Sequence, residues 1–267
     1  MTSIITDHAT PAPHDRVWSI RLNRLTYALA RYWFLIFVVA AGLYVGLPWL
    51  APVFMKIGWT GAGNTLYSIY STQCHQLPQR SFFLFGSKPM YSLTEIQAAW
   101  KNTNNPAILR QFIGNDAIGW KVAWSDRMVS FYTSIWAGMI LARLLGKRLK
   151  TPPWWSVVLL AFPMAIDGGT HFLSDLAGIG RGFRDSNAWL AGLTNNVFHP
   201  SFYAGDALGS FNSLMRIFTG VLFGIGLAWF SFPYFKDAIS DAARGIEEKF
   251  ARAGLMLNPH QPERPPK

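Results

Sequence analysis

The chain has one cysteine, Cys74, in 267 residues. An intrachain disulfide is excluded, and with it any reading of compartment from a disulfide framework. Charge is scarce too: Asp, Glu, Lys and Arg make up 14% of the chain, against 51% hydrophobic and 15% aromatic residues. That is too little polar surface for a body that faces water on all sides. Acidic residues are the rarer kind, 14 against 24 Lys and Arg, for a net charge of +10. The excess does not indicate nucleic acid, because the basic residues gather beside apolar runs, where they orient membrane helices and meet anionic lipid. Also missing are a Walker loop, a dinucleotide fingerprint, a nucleophile elbow and an HExxH pair. No internal repeat supports a transporter built from duplicated halves.

What the chain does have is apolar length. Residues 32–54 carry no charge, and about 23 residues suffice to cross a hydrocarbon core of roughly 30 Å with some tilt. Residues 128–145, 152–172 and 211–235 are three further candidates. The predicted fold class is all-α: a polytopic membrane helical bundle of about four transmembrane helices with long extracytoplasmic loops. Three clusters of basic residues beside the spans fall on one side: Arg16, Arg21, Arg24 and Arg31; then Arg143, Lys147, Arg148 and Lys150; then Lys236, Arg244, Lys249 and Arg252, while basic residues in the long segments on the other side have little topogenic weight. By the positive-inside rule both termini are cytoplasmic, in a multi-pass protein of the cell membrane. The chain then divides into a cytoplasmic N-terminal segment with an interfacial helix (1–31), a membrane domain (32–235), and a cytoplasmic C-terminal helix with a disordered tail (236–267). Within 16–30 the spacing of Trp18, Leu22, Leu25 and Leu29 fits an amphipathic helix lying in the interface. Residues 87–121 are polar enough to be extramembrane, with a short helix starting at Ser92, capped by Ser92 and Glu95.

Polar residues inside apolar segments mark function or its support. The densest group is Gln73-Cys74-His75-Gln76-Leu77-Pro78-Gln79-Arg80-Ser81-Phe82-Phe83. Near one end of the third span Asp167 and His171 share a helical face, and at the start of the fourth Asn212 and Arg216 do the same. Arg127 opens the second span directly after Asp126. An arginine in hydrocarbon needs a carboxylate or a lipid phosphate. Asp167 is the expected partner of Arg216, with Arg127 close enough to share it.

In order along the chain, Cys74-His75-Gln76, Pro78, Arg80-Ser81-Phe82, Arg127 with Tyr132, Asp167-Gly168, and Asn212 with Arg216 and Gly220 resemble the landmarks of the membrane-protein family called domain of unknown function 2085, over about residues 70 to 224. That pattern places cysteines around the arginine that Arg127 resembles, where this chain has Ser125 and Met128, and glutamine where His171 stands. A cysteine-ligated metal or a redox disulfide therefore does not carry over onto Cys74 alone. A metal would have to use His75, His171, His199, Asp167 and Asp206. Without paired-histidine spacing, His75 and His171 are weak metal candidates, and no cofactor is indicated.

The candidate ligand-binding set is Cys74, His75, Gln76, Arg80, Arg127, Asp167, His171, Asn212 and Arg216. The leading expectation is a polar site in the outer leaflet binding a polar or amphipathic ligand, a lipid headgroup or a quinone. One alternative is a membrane-embedded enzyme acting on such a ligand, with Asp167 or His171 as acid or base and Arg80, Arg127 or Arg216 clamping an anionic group. Another is an accessory subunit of a larger membrane complex. Membrane lipid and a membrane-protein partner are the expected contacts. Clustered rather than continuous polarity argues against a channel.

Overall fold

A computed structural model describes residues 13–257. Residues 1–12 and the tail from 258, expected to be disordered, lie outside the described residues. Four helices are long and apolar enough to cross a membrane: α1 (Pro13–Lys56), α5 (Asp126–Leu145), α6 (Trp154–Asp175) and α10 (Phe211–Arg252). The molecule is a helical membrane protein, as the apolar runs predict. Helix α1 passes unbroken through residue 31 and α10 through residue 235. Pro48, Pro52, Pro163 and Pro233 sit inside these helices. Apolar helices tolerate such residues where neighbours satisfy the freed carbonyl.

The chain packs as two units, residues 38–232 and a second unit formed by the segments before and after it. In the second unit Arg24 donates to the Met256 carbonyl at 2.8 Å, and Tyr27 to Glu247 at 2.7 Å. Trp18, Leu22, Leu25 and Leu29 stay exposed there as one stripe.

Within residues 38–232, α5 and α10 meet along a seam of small residues. Ser130, Ser134 and Gly138 on α5 face Gly220, Gly224 and Ala228 on α10, both series at i, i+4 and i+8. A Cβ built on Gly224 would stand 2.5 Å from the Phe131 carbonyl oxygen, and one on Gly220 would stand 2.2 Å from Ser130 Oγ. Only glycine permits this backbone approach, which helices in lipid use in place of a hydrophobic driving force.

Between α1 and α5 the chain builds a cap over one end of the bundle. It holds α2 (Thr60–Tyr70), α3 (Leu93–Ala99), α4 (Pro106–Leu109) and a three-stranded antiparallel sheet in the order β1-β3-β2. The strands are β1 (Ser81–Leu84), β2 (Gly114–Asn115) and β3 (Gly119–Ser125), with Ser81 opposite Ser125 and Leu84 opposite Trp120. The predicted capping box is present: Ser92 Oγ accepts from the Glu95 amide while Glu95 accepts from the Ser92 amide. The sheet was not anticipated. β3 is buried along its whole length, so it shows none of the in-and-out alternation by which a half-exposed strand is read. Trp124 stacks on Tyr132 with ring centroids 4.9 Å apart and meets the edges of Tyr44 and Tyr70, which fastens the strand to α1, α2 and α5. Short helices α7 (Phe183–Ser186), α8 (Ala188–Leu193) and α9 (Pro200–Tyr203) fill the connection from α6 to α10 at the same end.

Candidate functional site

The cysteine segment leaves α2 and is tied down from below by a lysine. Lys121, wholly buried in β3, donates from Nζ to the Gln76 carbonyl at 2.7 Å and to the Arg110 carbonyl at 2.8 Å. No carboxylate accompanies it in these bonds, and burial pushes its pKa down to about 7. Gln76 adopts the left-handed backbone region at φ 52°, a conformation unusual for a side chain with a Cβ. It is held there by its Nε2, which donates to the Tyr67 and Ala123 carbonyls at 2.9 Å each. Cys74 is buried beside it. Its thiol donates to Ser125 Oγ at 3.5 Å and accepts from the Gln76 amide at 3.4 Å. Ser125, where the family pattern leads one to expect a cysteine, thus lies directly against Cys74.

Above this floor four arginines and four aspartates close on one another. Arg80 makes a bidentate pair with Asp175, at 2.7 and 2.8 Å, and donates from Nε to Asp206 at 2.8 Å. Arg216 donates from Nε and Nη2 to Asp126 at 2.8 Å each, and from Nη1 to Asp206 at 2.5 Å. Arg127 and Arg184 each reach one oxygen of Asp167 at 2.7 Å. Burial alone would raise the Asp206 carboxyl, but the guanidiniums of Arg80 and Arg216 outweigh it and hold it below the usual carboxylate range. The expected pair of Asp167 with Arg216 is therefore corrected. Arg216 points to the start of α5 and the connection before α10, where two carboxylates wait, and Asp167 is already taken by Arg127 and Arg184.

Asn212 braces the network without entering the cavity. It accepts from Arg184 Nε at 3.1 Å and donates to the carbonyls of Arg184 and Gly205 at 2.7 and 2.9 Å. Asn187, also left-handed at φ 41°, donates to the Arg184 and Tyr203 carbonyls.

A cavity of about 320 Å³ opens between the cysteine segment, the start of α5 and one face of α6. Of the predicted residues, Cys74, His75, Arg80, Arg127, His171 and Arg216 line it, and Gln73, Ser125, Met128, Met164, Gly168, Phe172 and Asp175 complete the wall. Gln76, Asp167 and Asn212 do not reach its surface. Asp167 stands behind Arg127, where it borders a second, larger and mostly apolar groove of about 790 Å³ between α6, α7, α8 and α10. His75 is exposed where the cavity opens. The protein packed around the ring and the nearby Arg80 charge lower its pKa from the ordinary imidazole value.

Arg184, Asp175 and Asp126 were not singled out from the sequence as site residues. Arg184 carried a signal only in hindsight, as a basic residue between an apolar helix and a Gly- and Asn-rich connection. The metal candidates do not converge: among the described residues no group of three or more His, Cys, Asp or Glu is placed to hold an ion. His171 Nε2 already faces Arg184, and His199 is occupied with Ser201 at 2.8 Å on α9.

Residues 117–230 match the model of the family described as "Predicted membrane protein (DUF2085)", in agreement with the resemblance drawn from the landmarks. The matched stretch contains Arg127, Asp167, Asn212 and Arg216 but begins after the Cys74 to Phe82 segment. An uncharacterized protein of Methanocaldococcus jannaschii is 27% identical over 152 residues, covering 54% of this chain and 76% of that protein. No solved structure matches the chain.

Proposed function

From a membrane protein whose residues 117–230 match that family, we propose a binding protein. Its site is the cavity beneath the cap, and its ligand is polar or amphipathic, a lipid headgroup or a quinone. One observation carries this reading. The cavity wall sets the polar side chains of Gln73, His75, Arg80 and Asp175 next to the apolar side chains of Met128, Met164 and Phe172, the pairing an amphipathic ligand needs. Orientation belongs to the same proposal. With the basic clusters around Arg24, Arg148 and Lys236 on the cytoplasmic side of the cell membrane, the cap and the cavity lie in the outer leaflet. The exposed side chains of Trp189, Leu193, Val197 and Phe198 then sit at the lipid interface.

The enzyme alternative finds less support. Asp167 accepts from two guanidiniums and has no free proton-accepting role, and Arg80 and Arg216 spend their donors on aspartates. The accessory-subunit alternative draws on the same closed network, which would then be purely structural. Mass spectrometry of the protein extracted in mild detergent tests the proposal. A small amphiphile is expected with the wild type and lost when Met164→Trp fills the cavity. A protein that carries no such molecule, before or after the substitution, would remove it.

A further inference from the structure

Helix α1 carries a pattern in which the ligand cavity has no part. Leu22, Leu25, Leu29, Tyr32 and Ile36 follow one another at steps of three, four, three and four residues, the seven-residue repeat of a coiled-coil seam. Trp18 begins the same repeat, with the Arg21 guanidinium over its ring at 5.9 Å, and in the sequence the spacing continues at Val39 and Leu43. A repeat sustained over more than three heptads is the signature of a helix that packs on another helix. The side chains from Leu22 to Ile36 in this series are all exposed, Leu22, Leu25 and Leu29 by 65%, 57% and 51%. The opposite side of the helix is covered, because Arg24 and Tyr27 bond the Met256 carbonyl and Glu247.

Lipid does not cover the first part of this seam. Arg21, Arg24 and Arg31 hold the stretch before residue 32 out of hydrocarbon, where an arginine is costly. Leu22 lies ten residues before Tyr32, about 15 Å along a helix that rises 1.5 Å per residue, and a tilt of about 40° still leaves about 11 Å. The interfacial layer is only about 5–8 Å deep on each side. The helix cannot turn aside to lay the seam on the bilayer surface. Sharp bends need Pro, Gly or a bulge, and residues 14–37 hold neither Pro nor Gly in an unbroken α-helix. Leu22 and Leu25 therefore reach past the headgroups, where only another protein surface can take them out of water.

We infer that α1 is a self-association helix, its seam covered by the same seam of a second copy of this chain, packed in parallel. Membrane insertion favours this occupant over an unrelated helix. Every copy enters the bilayer the same way round and to the same depth, so equal residues meet at equal height with the register already set. The pairing is the isologous contact that a two-fold axis along the membrane normal produces. Charge does not oppose it. In a parallel pair Arg21, on the flank of the seam, faces Thr26 of the other copy and not a second arginine, while Arg24 and Arg31 lie on the far side of the helix. The seam shares no residue with the ligand cavity, and the inference does not depend on the ligand.

Disulfide cross-linking of the full chain in its membrane tests this, with the wild type as the blank, since its one cysteine, Cys74, is buried. Introduced singly, Leu22→Cys, Leu25→Cys and Leu29→Cys are each expected to join two copies under mild oxidation. Asn23→Cys, on the side of Tyr27, is expected to stay single. Light scattering in mild detergent is expected to give the protein mass of two or more chains for the wild type, and of one chain for Leu22→Lys combined with Leu25→Lys. If that double variant does not fold, the cross-linking pattern decides alone. Cross-links as ready at Asn23 as at the three leucines, or none at any of them, would overturn the inference. So would Leu25→Cys joined to a different protein, or a single chain whose Leu25→Cys is shielded from a soluble maleimide by lipid, which would put the seam on the bilayer surface.

Discussion

Helices α5 and α10 are joined twice, by opposite means, within about two turns. At the capped end Asp126 and Arg216 meet as a buried ion pair; further along, Gly220 and Gly224 let one backbone lie on the other with no charge involved. The first join is specific and conditional. It works only while each charge has its partner, because an isolated buried ion is far more costly than the pair is favourable. The second is unconditional but unselective, since small residues fit many small-residue faces. A bundle using both has its register set at the polar end and its closeness set along the seam.

The comparison breaks most visibly at the charge. Arg216→Met leaves Asp126 and one side of Asp206 uncompensated and is expected to cost about 3–5 kcal/mol, the range for stripping one partner from a buried pair. Unfolding in mixed detergent micelles would measure it, and adding Asp126→Asn should recover part of the loss. At the seam Gly224→Leu must push a side chain into the Phe131 carbonyl, and a cost of about 1–3 kcal/mol is expected from overpacking. Asp126→Asn should not change that cost. If it does, the two joins are one.

A smaller effect sharpens the partner assignment. In double-mutant cycles Asp167→Asn should couple with Arg127→Gln by about 0.5–3 kcal/mol and be nearly additive with Arg216→Gln. The reverse outcome would restore the pairing first expected from the sequence.

The gentlest test uses pH on the cap. Lys121 keeps its proton to about 7 when folded, against 10.5 for the ordinary side chain. Between those values the unfolded chain binds more protons, so stability should climb as pH rises through that window, by at most about 1.4 kcal/mol per pH unit. Lys121→Met should flatten this slope. An unchanged slope would assign it to another group.

Much of the architecture was legible because lipid imposes simple rules: uncharged length gives spans, and polar residues at helical spacing give shared faces. Asp167 with His171 and Asn212 with Arg216 were found that way. Pairing was not legible, because which carboxylate faces which guanidinium depends on how the 176–210 connection folds back, and no periodicity describes that segment. It delivers Arg184 and Asp206, which decide the partners of Asp167 and Arg216. β3 was missed for a related reason: Lys121, in the middle of an otherwise apolar strand, reads as exposure until its two carbonyl acceptors are seen.

The order in which these charges are made has a consequence for biosynthesis. Arg80 and Asp126 leave the ribosome well before Asp206 and Arg216, and chains are made N-terminus first. Until the final helix emerges, Asp126 has no Arg216, and Arg80 can take only Asp175. The cap and the first three spans are therefore made before Asp126 and Arg80 can complete their pairing, which needs Arg216 and Asp206. A chain truncated before residue 206 keeps three of its four apolar spans and lacks both Asp206 and Arg216.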